Sequence, residues 1–299
     1  MQYVILDLEW NVTFSKKKKK YFNEIIEVGA VRLKEDRTLD DTFQAYVGAQ
    51  ISKKLCSKVA ELTNLEFSDI ENGQPFSRVM AKFSRWVGSS DTVVMTWSNT
   101  DLHVLLENYQ YYDPAAEAIP FLKKYVDLQK YCQTLQGLPL AQQVGLAAFA
   151  EQISVPVYDL QQHSALDDSI IEARCFQKMY DAKRFPEFVR DASKPEFYRR
   201  MLFKNQFITD INSEEIDRKH LHFRCQECGR QARRISKWRK KNNAFFADFR
   251  CQTCGVKFTA RIQAKKTYDA VRVNRRILPF LPKNTPAGEG AASAAGQKQ

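Results

Sequence analysis

The sequence predicts an α/β protein, a mixed sheet flanked by helices, followed by a small metal-held domain. Three observations predict it. Short apolar, β-branched runs and segments of helical period come in the order three strands, helix, strand, helix, strand, helices. Two Cys-x-x-Cys-Gly pairs lie close together near the C-terminal end. The charge is also divided: between Arg224 and Arg276 there are 16 Lys or Arg against only Glu227, Asp248 and Asp269. The 30 bases and 32 acids elsewhere nearly cancel, so this stretch carries the net charge of +11.

Tyr3 to Trp10 reads as a buried strand, short and apolar, interrupted by Asp7 and Glu9. Residues i and i+2 of a strand share a face, so both acids project from one side. Two buried like charges are costly unless a cation lies between them. A pair of divalent ions would meet that need, and carboxylate oxygens suit Mg²⁺ or Mn²⁺. The plain alternative is a strand that ends at Asp7 with solvated acids.

The run Lys16–Lys20 reads as a loop, solvated or touching phosphates. Strands over Glu24–Leu33 and Thr42–Val47 then complete an antiparallel meander. Leu62-Thr63-Asn64-Leu65 starts a turn. Phe76, Val79, Met80, Phe83, Trp86 and Val87 recur at helical spacing, which predicts a helix over Gln74–Trp86. Thr92–Trp97 is the next buried strand, and Asp101 opens the helix after it, at a strand-to-helix handover. Tyr125–Leu128 reads as a short fifth strand, Leu146–Ile153 as a helix, and Ala165–Tyr180 as the last helix, preceded by a loop holding His163. Four regions result: a sheet domain over 1–182, a helical connecting arm over 183–219, a basic module over 220–283 and a disordered tail over 284–299.

His163 and Asp168 are five residues apart, about 500° of helix rotation, so they do not share a helix face. They converge only if His163 stays on the loop and Asp168 sits in the first turns. On chemistry alone Asp167 rivals Asp168. No run approaches the ~20 apolar residues of a membrane span, and the first apolar run is no signal peptide. Cys56, Cys132 and Cys175 are scattered as buried thiols would be. The expected setting is a reducing compartment, the cytoplasm.

Asp7-Leu8-Glu9, Asp101 after a strand, and His163 with Asp168 five on together resemble the DEDDh family of 3′→5′ exonucleases over residues 1–182. Glu24-Ile25-Ile26-Glu27-Val28-Gly29-Ala30 and Leu62-Thr63-Asn64-Leu65 are similar to family segments, with Asn64 where a Gly is usual. Ser164 stands where the tyrosine-bearing sister group has its Tyr, so the histidine branch fits. The opening Asp-Leu-Glu-Trp-Asn is most similar to the RNA-degrading members related to the enhanced-RNA-interference exonuclease. The resemblance implies an RNase H-like fold and hydrolysis of single-stranded nucleic acid, RNA before DNA, from its 3′ end to nucleoside 5′-monophosphates. Asp7, Glu9, Asp101 and Asp168 would hold two Mg²⁺ (or Mn²⁺) ions. His163 would act as general base, since an imidazole can take a proton at neutral pH. Trp10 could stack on the terminal base or be a core aromatic. A DNA-trimming exonuclease and a non-catalytic nucleic-acid adaptor are the competing readings.

Cys225, Cys228, Cys251 and Cys254 form two knuckles, the pattern of a tetrahedral Zn²⁺ site in a zinc ribbon. Arg233, Arg234, Lys237, Arg239 and Lys240 surround Trp238, with Phe245, Phe246 and Phe249 following. Bases interleaved with aromatics suit single-stranded nucleic acid, with phosphates on the cations and bases on the rings. A ribbon core built of those aromatics, or a protein partner, would use the same residues.

Overall fold

A computed structural model of the chain describes residues 1–280, except 53, 64, 89, 90, 161 and 162 and the side chains at 67 and 69. Asn64 of the expected turn and the expected tail from 284 lie outside the described residues. The chain divides into two compact units, Met1–Leu202 and Phe203 onward.

In the first unit β1 (Gln2–Ser15) and β2 (Lys20–Leu33) form a long antiparallel hairpin, and β3 (Leu39–Tyr46) continues the meander. After helices α1 (Ser57–Thr63), α2 (Phe67–Glu71) and α3 (Phe76–Val87), β4 (Thr92–Thr96) enters parallel to β1. Helix α4 (Thr100–Tyr112) leads to β5 (Lys124–Asp127), parallel to β4. Helices α5 (Leu128–Leu135), α6 (Leu146–Gln152), α7 (Ala165–Met179) and α8 (Phe185–Phe188) precede β6 (Arg190–Asp191) and α9 (Pro195–Leu202). The sheet order is β3-β2-β1-β4-β5-β6, a mixed sheet with β1 in its interior, as expected.

Alternation along β1 divides the core. Val4, Leu6 and Leu8 pack with Phe76, Phe83, Leu102 and Leu105 of α3 and α4. Tyr3 and Ile5 face the other side, with Tyr131, Phe149, Ile171 and Phe176 of α5, α6 and α7. Each fully buried side chain of this size contributes roughly 1.5–3 kcal/mol, which is what holds the helices to the sheet.

The alternative of a strand ending at Asp7 fails, because β1 continues to Ser15, with Asp7 and Glu9 half-buried. The strand thus runs past Trp10: Asn11–Ser15 pair with Lys20–Glu24 through backbone hydrogen bonds that need no apolar pattern. The lysine run forms the hairpin turn and its first strand residue. Lys17 Nζ donates to the Tyr111 carbonyl (2.7 Å) and Lys18 Nζ to that of Gln110 (3.4 Å), both in the last turn of α4, while Lys20 pairs with Glu107. Cations there oppose the negative end of the helix that carries Asp101.

The expected connecting arm, 183–219, needs correction. Its first half belongs to the sheet unit: β6 pairs antiparallel with β5, and α9 buries Tyr198 in the core with Phe197 and Met201 packed beside it. Prolines 186 and 195 break the helical pattern at the starts of α8 and α9, which made the segment read as a linker.

The second unit is a sheet in the order β12 (Val271–Pro279), β11 (Lys257–Lys266), β10 (Ala244–Cys251), β8 (Ala232–Arg234). β9 (Arg239–Lys241) also pairs with β10, and β7 (Gln206–Phe207) with β11. Phe223, Phe249, Phe258 and Ile262 make its core, and Trp238 packs against that core. No helix among the described residues is long and apolar enough to cross a membrane.

Candidate active site

Asp7 and Glu9 continue the Tyr3–Ile5 face of β1, the face covered by α7. The last β1–β4 pair is Ile5 with Met95, so Asp7 lies just beyond it, where β4 gives way to α4. Asp101, in the first turn of α4, is buried at this opening. A bulge between Glu9 and Trp10 shifts the register, pairing Glu9 with Glu27 but Trp10 with Ile25. Trp10 is half-buried against the α3–α4 side of the core.

His163 stands on the loop ahead of α7 with φ +64°, and its backbone N–H donates to Asp168 Oδ2 (3.1 Å). Asp168, in the first turn, is thus placed as the five-residue spacing required. Glu9, His163 and Asp168 offer ligand atoms that all lie within 4.8 Å of one another. Asp167 is not part of that group; it lies in the same first turn.

The acids repel one another. Burial, then the charges of Asp101, Glu172, Asp168 and Glu9, push Asp7 well above the usual carboxylate range. Burial and the charges of Asp168, Glu27 and Asp101 raise Glu9 to about 8. Burial raises Asp101 to about 7 against the N–H groups of Asp101 and Leu8, and Asp168 to about 6 against the N–H and charge of His163. Without a cation the cluster resists full ionisation at neutral pH; with divalent ions among them the same acids become a strong oxygen-donor set. The residues present therefore fit a divalent-metal centre.

Several residues that hold this arrangement were not singled out as site residues from the sequence. Asn11 is fully buried and grips the loop after β3, donating to the Lys54 carbonyl (2.9 Å) and accepting from Cys56 N–H (2.8 Å). Glu24 accepts from the N–H groups of Gln50 (2.6 Å), Ile51 (2.8 Å) and Ser52 (3.4 Å). Glu27 accepts from Ala165 N–H (3.3 Å) at the start of α7 and from Gln44 (2.8 Å). Acids inside an otherwise apolar strand were the available signal. Glu172 on α7 was also missed; an acid in the stripe 168, 172, 176 is visible in the helical pattern.

In the second unit Cys225 Sγ lies 3.5 Å from Cys254 Sγ and Cys228 Sγ 3.4 Å from Cys251 Sγ, and all four are free thiols within 4.8 Å. An ideal ZnS₄ tetrahedron with ~2.3 Å bonds has edges of about 3.8 Å, so the four sulfurs fit one ion. The two knuckles are alike. Gly229 (φ +69°) and Gly255 (φ +75°) take the left-handed region, and their N–H groups close onto the Cys225 and Cys251 carbonyls at 3.0 Å. Backbone N–H groups of Cys254 and Thr253 bring the Cys251 thiol down to about 6.

Of the basic set, Arg233, Arg234, Lys237, Arg239 and Lys240 are exposed, and Trp238 is half-buried. Arg239 is paired with Asp248 (3.1 Å). Arg233, Arg234, Arg218 and Gln252 border a cleft of ≈ 800 Å³ whose floor includes Trp238 and Phe249.

An interior strand with two acids, a third at a helix start, and an acid and imidazole at a second helix start define an acidic, cation-seeking centre on a mixed α/β sheet. The chain belongs to the exonuclease family of the RNase T type, whose model matches residues 4–176. It is 26% identical over 167 residues to 3′-5′ exoribonuclease 1 of Rattus norvegicus, covering 54% of this chain and 48% of that protein. It is 24% identical over 185 residues to the Bacillus subtilis (strain 168) protein called "Probable 3′-5′ exonuclease KapD", covering 62% and 87%. The chain thus spans about half of the first relative and most of the second. The nuclease domain of 3′hExo, a DEDDh family member solved bound to rAMP, shares the fold with a TM-score of 0.53 at 24% identity over 64% of this chain and 96% of that one.

Proposed function

We propose that the protein is a 3′→5′ exonuclease that hydrolyses single-stranded nucleic acid, RNA before DNA, to nucleoside 5′-monophosphates. The observation that carries this reading is the convergence of Glu9, His163 and Asp168 within 4.8 Å, beside the half-buried Asp7 and the buried Asp101. Asp7, Glu9, Asp101 and Asp168 would hold two divalent ions, Mg²⁺ or Mn²⁺, which supply charge neutralisation at the terminal phosphodiester when bound. His163, exposed on its loop, takes the proton of the attacking water on a ring nitrogen. The water oxygen bonds to phosphorus as the bond to the 3′ oxygen breaks, and that oxygen leaves as an alkoxide that takes a proton from solvent to become the 3′-hydroxyl. Trp10 offers a ring for the terminal base. The name of the rat relative supports RNA as the substrate.

The second unit is proposed to be a zinc ribbon that binds the nucleic acid. Cys225, Cys228, Cys251 and Cys254 would hold one structural Zn²⁺, and a reducing setting such as the cytoplasm keeps those thiols available. Arg233, Arg234, Lys237 and Lys240 would meet phosphates, with Arg239 and Trp238 beside them.

The test is digestion of labelled single-stranded RNA and matched DNA with Mg²⁺, analysed for mononucleotides. Asp7→Ala and His163→Ala are each expected to lower the rate by about 10²-fold or more. Equal rates for all three proteins would overturn the assignment. Faster digestion of DNA would make it a DNA-trimming enzyme, and binding without mononucleotide release would make it an adaptor.

A further inference from the structure

We infer that Glu172 is a fifth acid of the cation centre, a positioning residue whose charge draws divalent ions into the cluster. The inference rests on the cation-centre reading above. Glu172 lies one helical turn after Asp168, at i+4, and one turn before Phe176, whose ring sits 5.1 Å from that of Tyr3. Its side chain is therefore directed at the sheet face that carries Asp7. The charges that act on it are those of Asp101 and Asp168, and it acts in turn on Asp7.

What separates Glu172 from the other buried glutamates is its lack of partners. Glu24 and Glu27 are each 1% exposed, and both are satisfied by N–H donors from the backbone or Gln44. Glu172 is 0% exposed, and neither Oε1 nor Oε2 makes a hydrogen bond among the described residues. The Trp97 backbone N–H lies on its side and favours the charged form without completing such a bond. No Lys or Arg pairs with it among the described residues either. A glutamate kept only for structure would have donors around it, as Glu24 and Glu27 do. A fully buried glutamate without a hydrogen bond, one helical turn from Asp168 and under the charges of Asp101 and Asp168, is completed from outside the protein, and the group that completes several carboxylates together is a cation.

The test is Mn²⁺ titration of the full-length protein by calorimetry, with melting curves with and without Mn²⁺, for wild type, Glu172→Gln and Glu172→Met. Removing one negative charge beside the acid cluster is expected to weaken Mn²⁺ binding by about tenfold or more. Both variants are expected to melt higher than wild type without metal, and to gain less on adding Mn²⁺. A merely structural glutamate would leave Mn²⁺ affinity unchanged, and that result overturns the inference while leaving the cation centre intact. Variants that unfold in metal-free buffer where wild type is folded overturn it too, since Glu172 would then be a required core acid. A wild type that binds no Mn²⁺ removes both this inference and the cation centre.

Discussion

The backbone of Ala165 lies so close over Gly29 that a Cβ on residue 29 would stand 2.1 Å from the Ala165 carbonyl carbon. Around this contact Ser169 Oγ donates to the Gly29 carbonyl (3.0 Å) and Glu27 accepts from Ala165 N–H. The start of α7, and with it His163 and Asp168, is seated on β2 by Glu27 and Gly29.

Gly29→Ala is therefore expected to push α7 away from the sheet. Overpacking of this kind costs about 1–3 kcal/mol. Thermal melting should show that loss, and exonuclease rate should fall further than stability does, because the displaced helix start carries two site residues. A variant with wild-type melting and rate would show that α7 is not seated here.

Stability without metal should fall as pH rises. Asp168, Asp101 and Glu9 titrate near 6, 7 and 8 in the folded protein, above the range of about 4 for unfolded acids. Between those values the folded state binds more protons than the unfolded one, so its stability is greatest at the acid end and is lost through about pH 6–8. The metal-free melting temperature should drop by roughly 10 °C or more from pH 5.5 to 8.5. Saturating Mg²⁺ should abolish the drop.

Lys17 and Lys18 should act on stability rather than on substrate. Each caps carbonyls at the C-terminal end of α4, an effect worth about 0.3–1 kcal/mol. Replacing both with Ala should lower the denaturation midpoint while leaving RNA affinity and its salt dependence unchanged. A reduced salt slope would instead put these lysines on phosphates.

Zinc removal should melt one unit and spare the other. The Cys₄ unit has a small core around Phe223, Phe249 and Phe258, whereas the first unit buries two large apolar clusters of its own. Calorimetry after chelation should show loss of one transition and retention of the other.

Arg233 and Arg234 border the cleft of the second unit and are exposed. Replacing both with Ala should weaken single-strand binding and lower the salt slope by about 1.4, the value for two phosphate contacts. Unchanged affinity and slope would assign the unit to a protein partner.

Much of the site was legible because chemistry concentrates in local patterns. Two acids at i and i+2 in an apolar run, an acid at a strand-to-helix handover, and a histidine five before an acid each state a local geometry, and the structure has all three. The paired cysteines likewise stated their own convergence. Less legible was the end of the first unit, since the few apolar residues of α9 gain meaning only from the core they complete. Helix α5 was missed because its start follows β5 directly, with Asp127 both ending the strand and accepting from Lys130 N–H (2.9 Å) at the helix start.

The sequence by itself determined which residues are the candidates for a cation, which strand carries the first two and which four thiols lie together, because strand period, helix period and short spacings are properties of neighbours. Only the tertiary structure decided that Gly29 is the seat of α7, that the lysine run caps α4, and that Glu172 is buried without a completed hydrogen bond. Those facts depend on what lies across a packed interface, and close packing between distant segments leaves no trace in the spacing of residues along one of them.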